Sequence, residues 1–497
     1  MASSSNSTIT CGSKNCNTFY DIAYTWNKPT TTTSTYHYIP TYTGTSSSGA
    51  AQYYTPAYDL TLGAVTTYNV RVKVCDSSVG LESNCKAYGT SYKPTGVLQD
   101  NGDLMKFGVF SYYNSNDIDN AVMRSKAKYI APQKYASSGG TIANTAKEWS
   151  DTDGTFVADP DPSERTSSYP VGSNPARSGV INYINQFGRP LDPLPATVPS
   201  TSYKTYDNVG KLYYETLKYL RGLSPTTAFY TNATAGTNDG FPVITSWDDP
   251  IQYSCQKNYI ITLGDRNTWC DKRLPGGTYT GGLNGVCTGR AEADDFGSLT
   301  ETIPANRGPG VDVTTWTNAF GNLQGDSPNN TRATAATGAG SSASWYIAGL
   351  AYWAAKNDIR TDDAAQLTTI GTQKVKSYII DVEESGTGIG KTFEMLAKYG
   401  GADSFDASGN PINSVYTSSA DHSGTAFPTY PWPKTLLRAS DPAKMISSVR
   451  SALADIAAQI GTESALAQSS GDLRTGSGAY IYRAIFNSGG WIGNVQA

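Results

Sequence analysis

The chain has 497 residues, room for two to four domains at roughly 100 to 200 residues each. Its 38 basic and 42 acidic residues leave a formal net charge of −4; no basic face suited to nucleic acid is visible, and no uninterrupted apolar stretch is long enough to span a bilayer. Charged residues make up only 16% and Tyr outnumbers Phe by 34 to 13, so the surface relies on neutral hydroxyls and amides, as in many exported adhesive proteins.

The opening decapeptide MASSSNSTIT has neither a basic n-region nor an apolar h-region, so it does not read as a signal peptide. Export would then be encoded elsewhere, or the chain is a processed piece. Residues 1–67 are rich in Thr, Ser and Tyr and read as a β or irregular segment. The run YNVRVKVC at 68–75 alternates apolar and polar residues and predicts a strand. A second strand is expected over 105–113, MKFGVFSYY. Residues 132–178 are rich in Ser, Gly, Asp and Pro and read as an insertion loop.

Helical spacing then appears at Val209–Leu220 and stops near Gly222. The apolar run Tyr259–Gly264, ending at Asp265, reads as a central parallel strand. A second Gly/Asn/Thr-rich insertion covers 271–340. Beyond it come a helix at 345–355, a strand at 375–382, a helix at 393–399 closed by Gly400 and Gly401, and a long amphipathic helix at 442–460 behind a Ser440/Asp441 cap. Residues 479–486 return to strand. This alternation from about 105 to 461 predicts an α/β fold, a parallel sheet flanked by helices.

Seven cysteines fall in local groups. Cys11 with Cys16, Cys75 with Cys85, and Cys255 with Cys270 are the expected bridges in an oxidising compartment, and unpaired buried thiols are the alternative. Cys287 is the odd one, left free or competing for a partner. Zinc is not indicated, because there is no C-x-x-C pair and His37 and His422 lie far from most of the cysteines.

Other motifs carry chemistry only in part. Ser385–Thr392, SGTGIGKT, places Gly390, Lys391 and Thr392 as a phosphate loop would, but Ser385 stands where the first glycine belongs. Asp265 is the candidate ligand for a divalent cation, with Asp248 and Asp249 nearby in sequence. Asp403, Asp406 and Asn410, with Gly409, imitate part of a calcium loop without its terminal Glu. Two histidines offer few bases for a Ser/His/Asp triad, and neither G-x-S-x-G nor H-E-x-x-H occurs. A glycosidase carboxylate pair leaves no signature in sequence.

Several longer stretches resemble the PilC/PilY family of type IV pilus assembly factors and tip adhesins. They are YKPTGVLQ at 92–99 with KFGVFSY at 106–112, INYINQFG at 181–188, the helix at 209–220, DGFPVITSWDDP at 239–250 continuing to CQKNYIITLGD at 255–265, IAGLAYW at 347–353 with Asp358–Arg360, and LAKYGG at 396–401. Their fixed order makes the resemblance specific from about residue 70 to the end.

The resemblance implies a modified von Willebrand factor A-like domain over 68–465, with GVFSYY, YIITLGD and YIIDV as strands of its sheet. In such domains a cation is held by D-x-S-x-S after the first strand and by a later Asp. Asp265 resembles the later Asp, whereas Asp76–Ser78 has the wrong spacing for the first motif. No cofactor is therefore expected in this fragment, although calcium or magnesium remains possible in full-length members. The tail at 466–497 resembles the start of a C-terminal propeller, so both ends read as trimmed relative to the family. The role implied is an exported, non-enzymatic factor at the pilus tip, with minor pilins and a host or abiotic surface as partners. A secreted hydrolase and a P-loop nucleotide binder are the alternatives.

Overall fold

The computed structural model describes residues 41–45, 51–54, 74–136, 140–187, 204, 207–264, 268–278, 298–304, 307–325, 344–364, 366, 369–382, 391–415, 432–460, 466–468, 481–487 and 492–496. The expected strand at 68–75 lies almost wholly outside them. The chain divides into two units, Met1–Val74 and Cys75–Ala497. In the first, β1 (Thr41–Thr45) and β2 (Ala51–Tyr54) pair antiparallel.

The second unit opens with the hairpin of β3 (Cys85–Tyr88) and β4 (Ser91–Pro94), followed by the single turn α1 (Val97–Asp100). The GVFSYY strand, β5 (Phe107–Ser111), pairs antiparallel with β6 (Val122–Lys128). This corrects the expectation that it joins the parallel sheet. Glycine is the local reason: a Cβ at Gly108 would lie 3.0 Å from the Ala127 amide nitrogen, so β5 closes tightly on β6. Strand β6 escapes pattern reading because its buried residues include Arg124 and Ser125.

Residues 132–178, expected as an insertion loop, carry the hairpin of β7 (Gln133–Tyr135) and β8 (Thr141–Ala143) and the helix α2 (Pro162–Thr166). They also bury two acids. Glu148 accepts the Val180 and Ile181 amides at 2.7 and 2.6 Å, satisfying the first turn of α3 (Val180–Gln186) from a distant part of the chain. Glu164 accepts the Lys126 amide at 2.6 Å and pairs with Lys128 at 2.8 Å.

The core is built around three parallel strands. Helix α4 (Val209–Leu220) leads, by a long connection, to β9 (Asn258–Gly264); then come α5 (Val313–Leu323), α6 (Tyr346–Lys356), β10 (Val375–Asp381) and α7 (Lys391–Gly400). The small hairpin β11 (Ser404–Phe405) and β12 (Pro411–Ile412) precedes β13 (Leu436–Arg438) and α8 (Pro442–Ile460). The sheet order is β13–β10–β9, with Val375 opposite Asn258 and Ile379 opposite Leu436. Val375 and Ile379 face the large core of α4, α5, α6 and α7. Tyr378 and Ile380 face the other way, onto Leu437 and onto Ala452, Leu453 and Ile456 of α8. Both faces are covered, as parallel sheets require.

Caps follow the sequence. Asp312 accepts the Thr315 amide at the head of α5 at 2.7 Å, and Asp441 accepts the Lys444 amide at the head of α8 at 2.9 Å. A separate antiparallel sheet closes the chain: β14 (Leu466–Gln468), β15 (Ile481–Asn487) and β16 (Ile492–Gln496). Among the described residues no helix is long and apolar enough to cross a membrane.

Helix α6 is buried from Tyr346 to Ala355, so its neighbours approach on every side. A Cβ at Gly349 would lie 2.4 Å from Thr317 Oγ1 and 2.9 Å from the Thr317 nitrogen of α5, and one at Gly400 of α7 would lie 2.6 Å from the Ala351 Cβ. Gly349→Ala is therefore expected to destabilise the protein by about 2 kcal/mol or more, the overpacking penalty outweighing alanine's better helix propensity. Urea unfolding measures this, and an unchanged midpoint would show that α5 moves aside freely.

Glu148 supplies a pH prediction. Burial lifts its pKa from 4.5 to about 7, against the two amide hydrogen bonds that lower it. A raised carboxyl pKa means the folded state holds the proton more tightly than the unfolded chain. The stabilisation is complete below about 4.5 and is lost as pH rises through about 7. Relative to Glu148→Gln, the wild type should lose roughly 3 kcal/mol of stability across that window. Parallel pH profiles of the two proteins would refute a buried neutral Glu148.

Candidate functional site

Ligands of open parallel sheets gather at the carboxyl ends of the strands. Here that end is formed by Gly264 of β9, Asp381 of β10 and the head of α4. A Cβ at Gly264 would lie 3.9 Å from the side chains of Val209 and Phe393, which fixes how closely α4 and α7 approach it. Asp265 itself lies outside the described residues.

Around the head of α4 the chain collects charge. Asp119 is buried between Lys211 at 3.0 Å and Arg273 at 3.1 Å, and Lys211 also donates to the Ile118 carbonyl at 2.9 Å. Asp271 accepts the Ser344 amide at 2.7 Å, and the Ser344 hydroxyl donates back to the Asp271 carbonyl at 3.2 Å. Asp117 accepts from the Tyr113 hydroxyl and the Asn232 amide group, each at 2.7 Å. Lys204 donates to the Asp117 carbonyl and lies 5.3 Å from the Tyr112 ring centroid. Desolvation, followed by repulsion from Lys211, pushes its pKa down to about 7.

This donor set does not fit the first shell of a hard cation. Such an ion needs about six oxygens or more, whereas Asp119 is engaged by two cations and Asp271 by a backbone amide. Among the described residues, the cluster with metal-ligand composition is Cys75, Glu82 and Cys85, and its two thiols are joined to each other.

Other candidates are likewise engaged. Asp249 pairs with Arg360 at 2.7 Å and with Arg307 at 3.5 Å, and Asp248 pairs with Lys126 at 2.8 Å, away from the sheet end. Asp406 accepts the Asn410 amide at 2.8 Å within the β11–β12 hairpin, while Asp403 pairs with Lys376 at 2.7 Å; the calcium-like spacing is a turn. Residues 385–390 of the glycine loop lie outside the described residues, as do His37 and His422. Lys391 and Thr392 open α7, and Thr392 is buried.

Cys75 and Cys85 are bridged, with a Cα–Cα distance of 5.6 Å. Glu82 spans the small loop between them, accepting the Cys75 amide at 2.9 Å. The expected Cys255–Cys270 bridge is corrected. Cys255 is a free, exposed thiol, whereas Cys270 is disulfide-bonded to a cysteine outside the described residues. The two positions flank strand β9, so nearness in sequence does not make them a closed loop. Cys11, Cys16 and Cys287 lie outside the described residues.

Sequence reading missed the buried basic residues. Arg124 is wholly buried, donates to the carbonyls of Tyr112, Asn238 and Pro242 at 2.6, 3.3 and 3.2 Å, and lies 5.2 Å from the Tyr183 ring. Arg360 holds Asp249 bidentately and donates to the Leu220 carbonyl. Nothing in the sequence set them apart, since Arg124 sits beside Lys126 and Lys128, and Arg360 between Asp358 and Asp362.

Fold and site thus describe a mixed α/β protein whose interior charges tie distant segments together. The comparisons supply the family. A family model for the second domain of PilY1 homologues matches residues 141–354. A type IV pilus biogenesis factor PilY1 homologue of Xylella fastidiosa (strain Temecula1) is 32% identical over 464 residues, covering 86% of this chain and 35% of the relative. Another protein of the same description and organism is 27% identical over 253 residues, covering 44% of this chain and 15% of the relative. No solved structure matches. The chain belongs to the PilY1 family, and it spans 35% of the length of the first of these relatives.

The Asp119–Lys211–Arg273 cluster yields a stability prediction. Lys211→Met leaves a buried carboxylate with Arg273 as its remaining strong partner, so a loss of about 3 kcal/mol is expected. The double variant Lys211→Met/Asp119→Asn should recover part of that loss, because no buried charge is then stranded. Equal stability of wild type and Lys211→Met in chemical denaturation would contradict a tie at this position.

Proposed function

We propose that this chain acts in type IV pilus biogenesis as an exported, non-catalytic assembly factor, and that it stands at the pilus tip with minor pilins and meets host-cell or abiotic surfaces. The observation that carries the reading is its 32% identity, over 86% of the chain, to a type IV pilus biogenesis factor PilY1 homologue. A hydroxyl-rich surface of low charge and the Cys75–Cys85 bridge support a location outside the cytoplasm. Asp119, Lys211, Asp249 and Glu148 are held by opposite charges or by backbone, which favours a scaffold over a reaction centre.

We further read the β13–β10–β9 sheet with its helices as the centre of a von Willebrand A-like domain. Strand β5 departs from that scheme by pairing with β6. Any divalent cation would be bound near Asp265 in longer members, completed by residues this sequence does not match to D-x-S-x-S.

Deleting the whole gene in its native bacterium, with and without complementation, tests the role. Surface pili counted by electron microscopy, twitching motility and adhesion should all fall and should return on complementation. Normal pili with lost adhesion would confine the protein to attachment. Pili, twitching and adhesion that all stay at wild-type levels would overturn the reading.

A further inference from the structure

A second concavity lies away from the sheet end, between the C-terminal end of α4 and residues 298–304, with a volume of about 480 Å³. That is within the usual size range of small-molecule sites. Its floor is a fixed polar assembly. Lys218 pairs with Glu301 at 2.8 Å and with Glu215 at 3.6 Å, and it donates to Thr226 Oγ1 at 2.8 Å. The other Glu301 oxygen accepts the Tyr214 hydroxyl, and Glu215 accepts the Thr226 amide at 2.9 Å. Burying three charged groups stabilises a fold no better than apolar side chains of similar volume. Such a floor under an open cleft is where recognition is to be sought.

The walls define the ligand. Ser224, Thr227, Thr300 and Thr302 line the cleft and are exposed, and Pro225, Ala228 and Pro304 add an apolar side. Each hydroxyl donates once and accepts twice, so the wall can answer a partner that is itself donor and acceptor. The charges oppose an ionic ligand of either sign. Lys218 is already taken by two glutamates, and Arg273 by Asp119, so an anion gains little from them; a cation would have to displace Lys218, Tyr214 or Thr226 from those same glutamates. We propose that this cleft binds a neutral carbohydrate of one or two rings, its hydroxyls on the Ser/Thr wall and its C–H face on Pro225, Ala228 and Pro304. A sugar in this cleft does not depend on the pilus role.

Saturation-transfer NMR on the full chain, with a panel of neutral methyl glycosides and disaccharides, tests for free sugars; immobilised neutral polysaccharides test for the same rings at the end of a surface glycan. Inorganic phosphate and putrescine serve as charged controls. Saturable binding of at least one neutral sugar is expected, weakened about tenfold or more by Thr227→Val/Thr302→Val. Both side chains are exposed, so the melting temperature should be unchanged. Ser224→Trp, which fills the mouth, should abolish binding. Absence of binding by every free and immobilised sugar, preference for phosphate or putrescine, or sugar binding indifferent to both variants would each overturn the assignment.

Discussion

Covering β10 on both faces is the constraint from which the arrangement of the second unit follows. Its residues alternate between two cores: Val375 and Ile379 pack toward α4, α6 and α7, and Tyr378 and Ile380 pack toward α8. Two helical layers must therefore reach one strand. On the larger side this is possible because glycines remove the side chains that would hold α5, α6 and α7 apart, Gly349 against Thr317 and Gly400 against Ala351. On the smaller side Ala452, Leu453 and Ile456 of α8 pack with Tyr378, whose hydroxyl donates to Asp455. Pairing of β9 and β13 with β10 then places the head of α4 beside the carboxyl end of β9.

The segments outside this centre are long, and apolar packing alone does not position them. Buried ions do part of that work. Arg124 joins the end of β5 to residues 238 and 242; Arg221 donates to the carbonyls of Ile359, Arg307 and Pro309; Arg360 clamps Asp249 to the end of α4. Buried carboxyl groups perform the same service: Glu148 accepts two amides of α3, and Glu164 one of β6. Arg124 and Arg221 each satisfy three backbone carbonyls and Glu148 two amides, groups that a loop folded onto a surface would otherwise leave unpaired.

This division explains what could be read from the sequence. The helices at 209–220 and 442–460 emerge with the expected bounds, and the strands at 258–264 and 375–381 within a residue or so, because their apolar periodicity records their burial. Strand β6 and the hairpin β7–β8 did not emerge. In β6 the buried run Val122–Ser125 ends in Arg124 and Ser125, and Arg124 is satisfied by partners far away in the chain; the hairpin β7–β8 buries none of its residues, so it leaves no apolar pattern. Proximity in sequence likewise foretold Cys75–Cys85, where a short loop turns back on itself, and misled at Cys255, where an extended strand intervenes. Charge clusters at the head of α4 could not be assembled in advance, since Asp119, Lys211 and Arg273 come from three separate stretches.

The choice of buried ions over a larger apolar core has a further consequence. Surface ion pairs are screened within about 10 Å at ordinary salt, but buried pairs are screened much less. Ties such as Asp119–Lys211, whose side chains are almost wholly removed from solvent, therefore keep their strength when ionic strength changes. Ties of this kind also dock a segment without a large apolar face, which suits a chain whose charged residues are few and whose hydroxyl residues are many. A chain built in this way positions extended loops firmly while presenting a neutral, hydrated face. Those two properties fit the proposed role of an exported assembly factor, which meets salt that is not controlled.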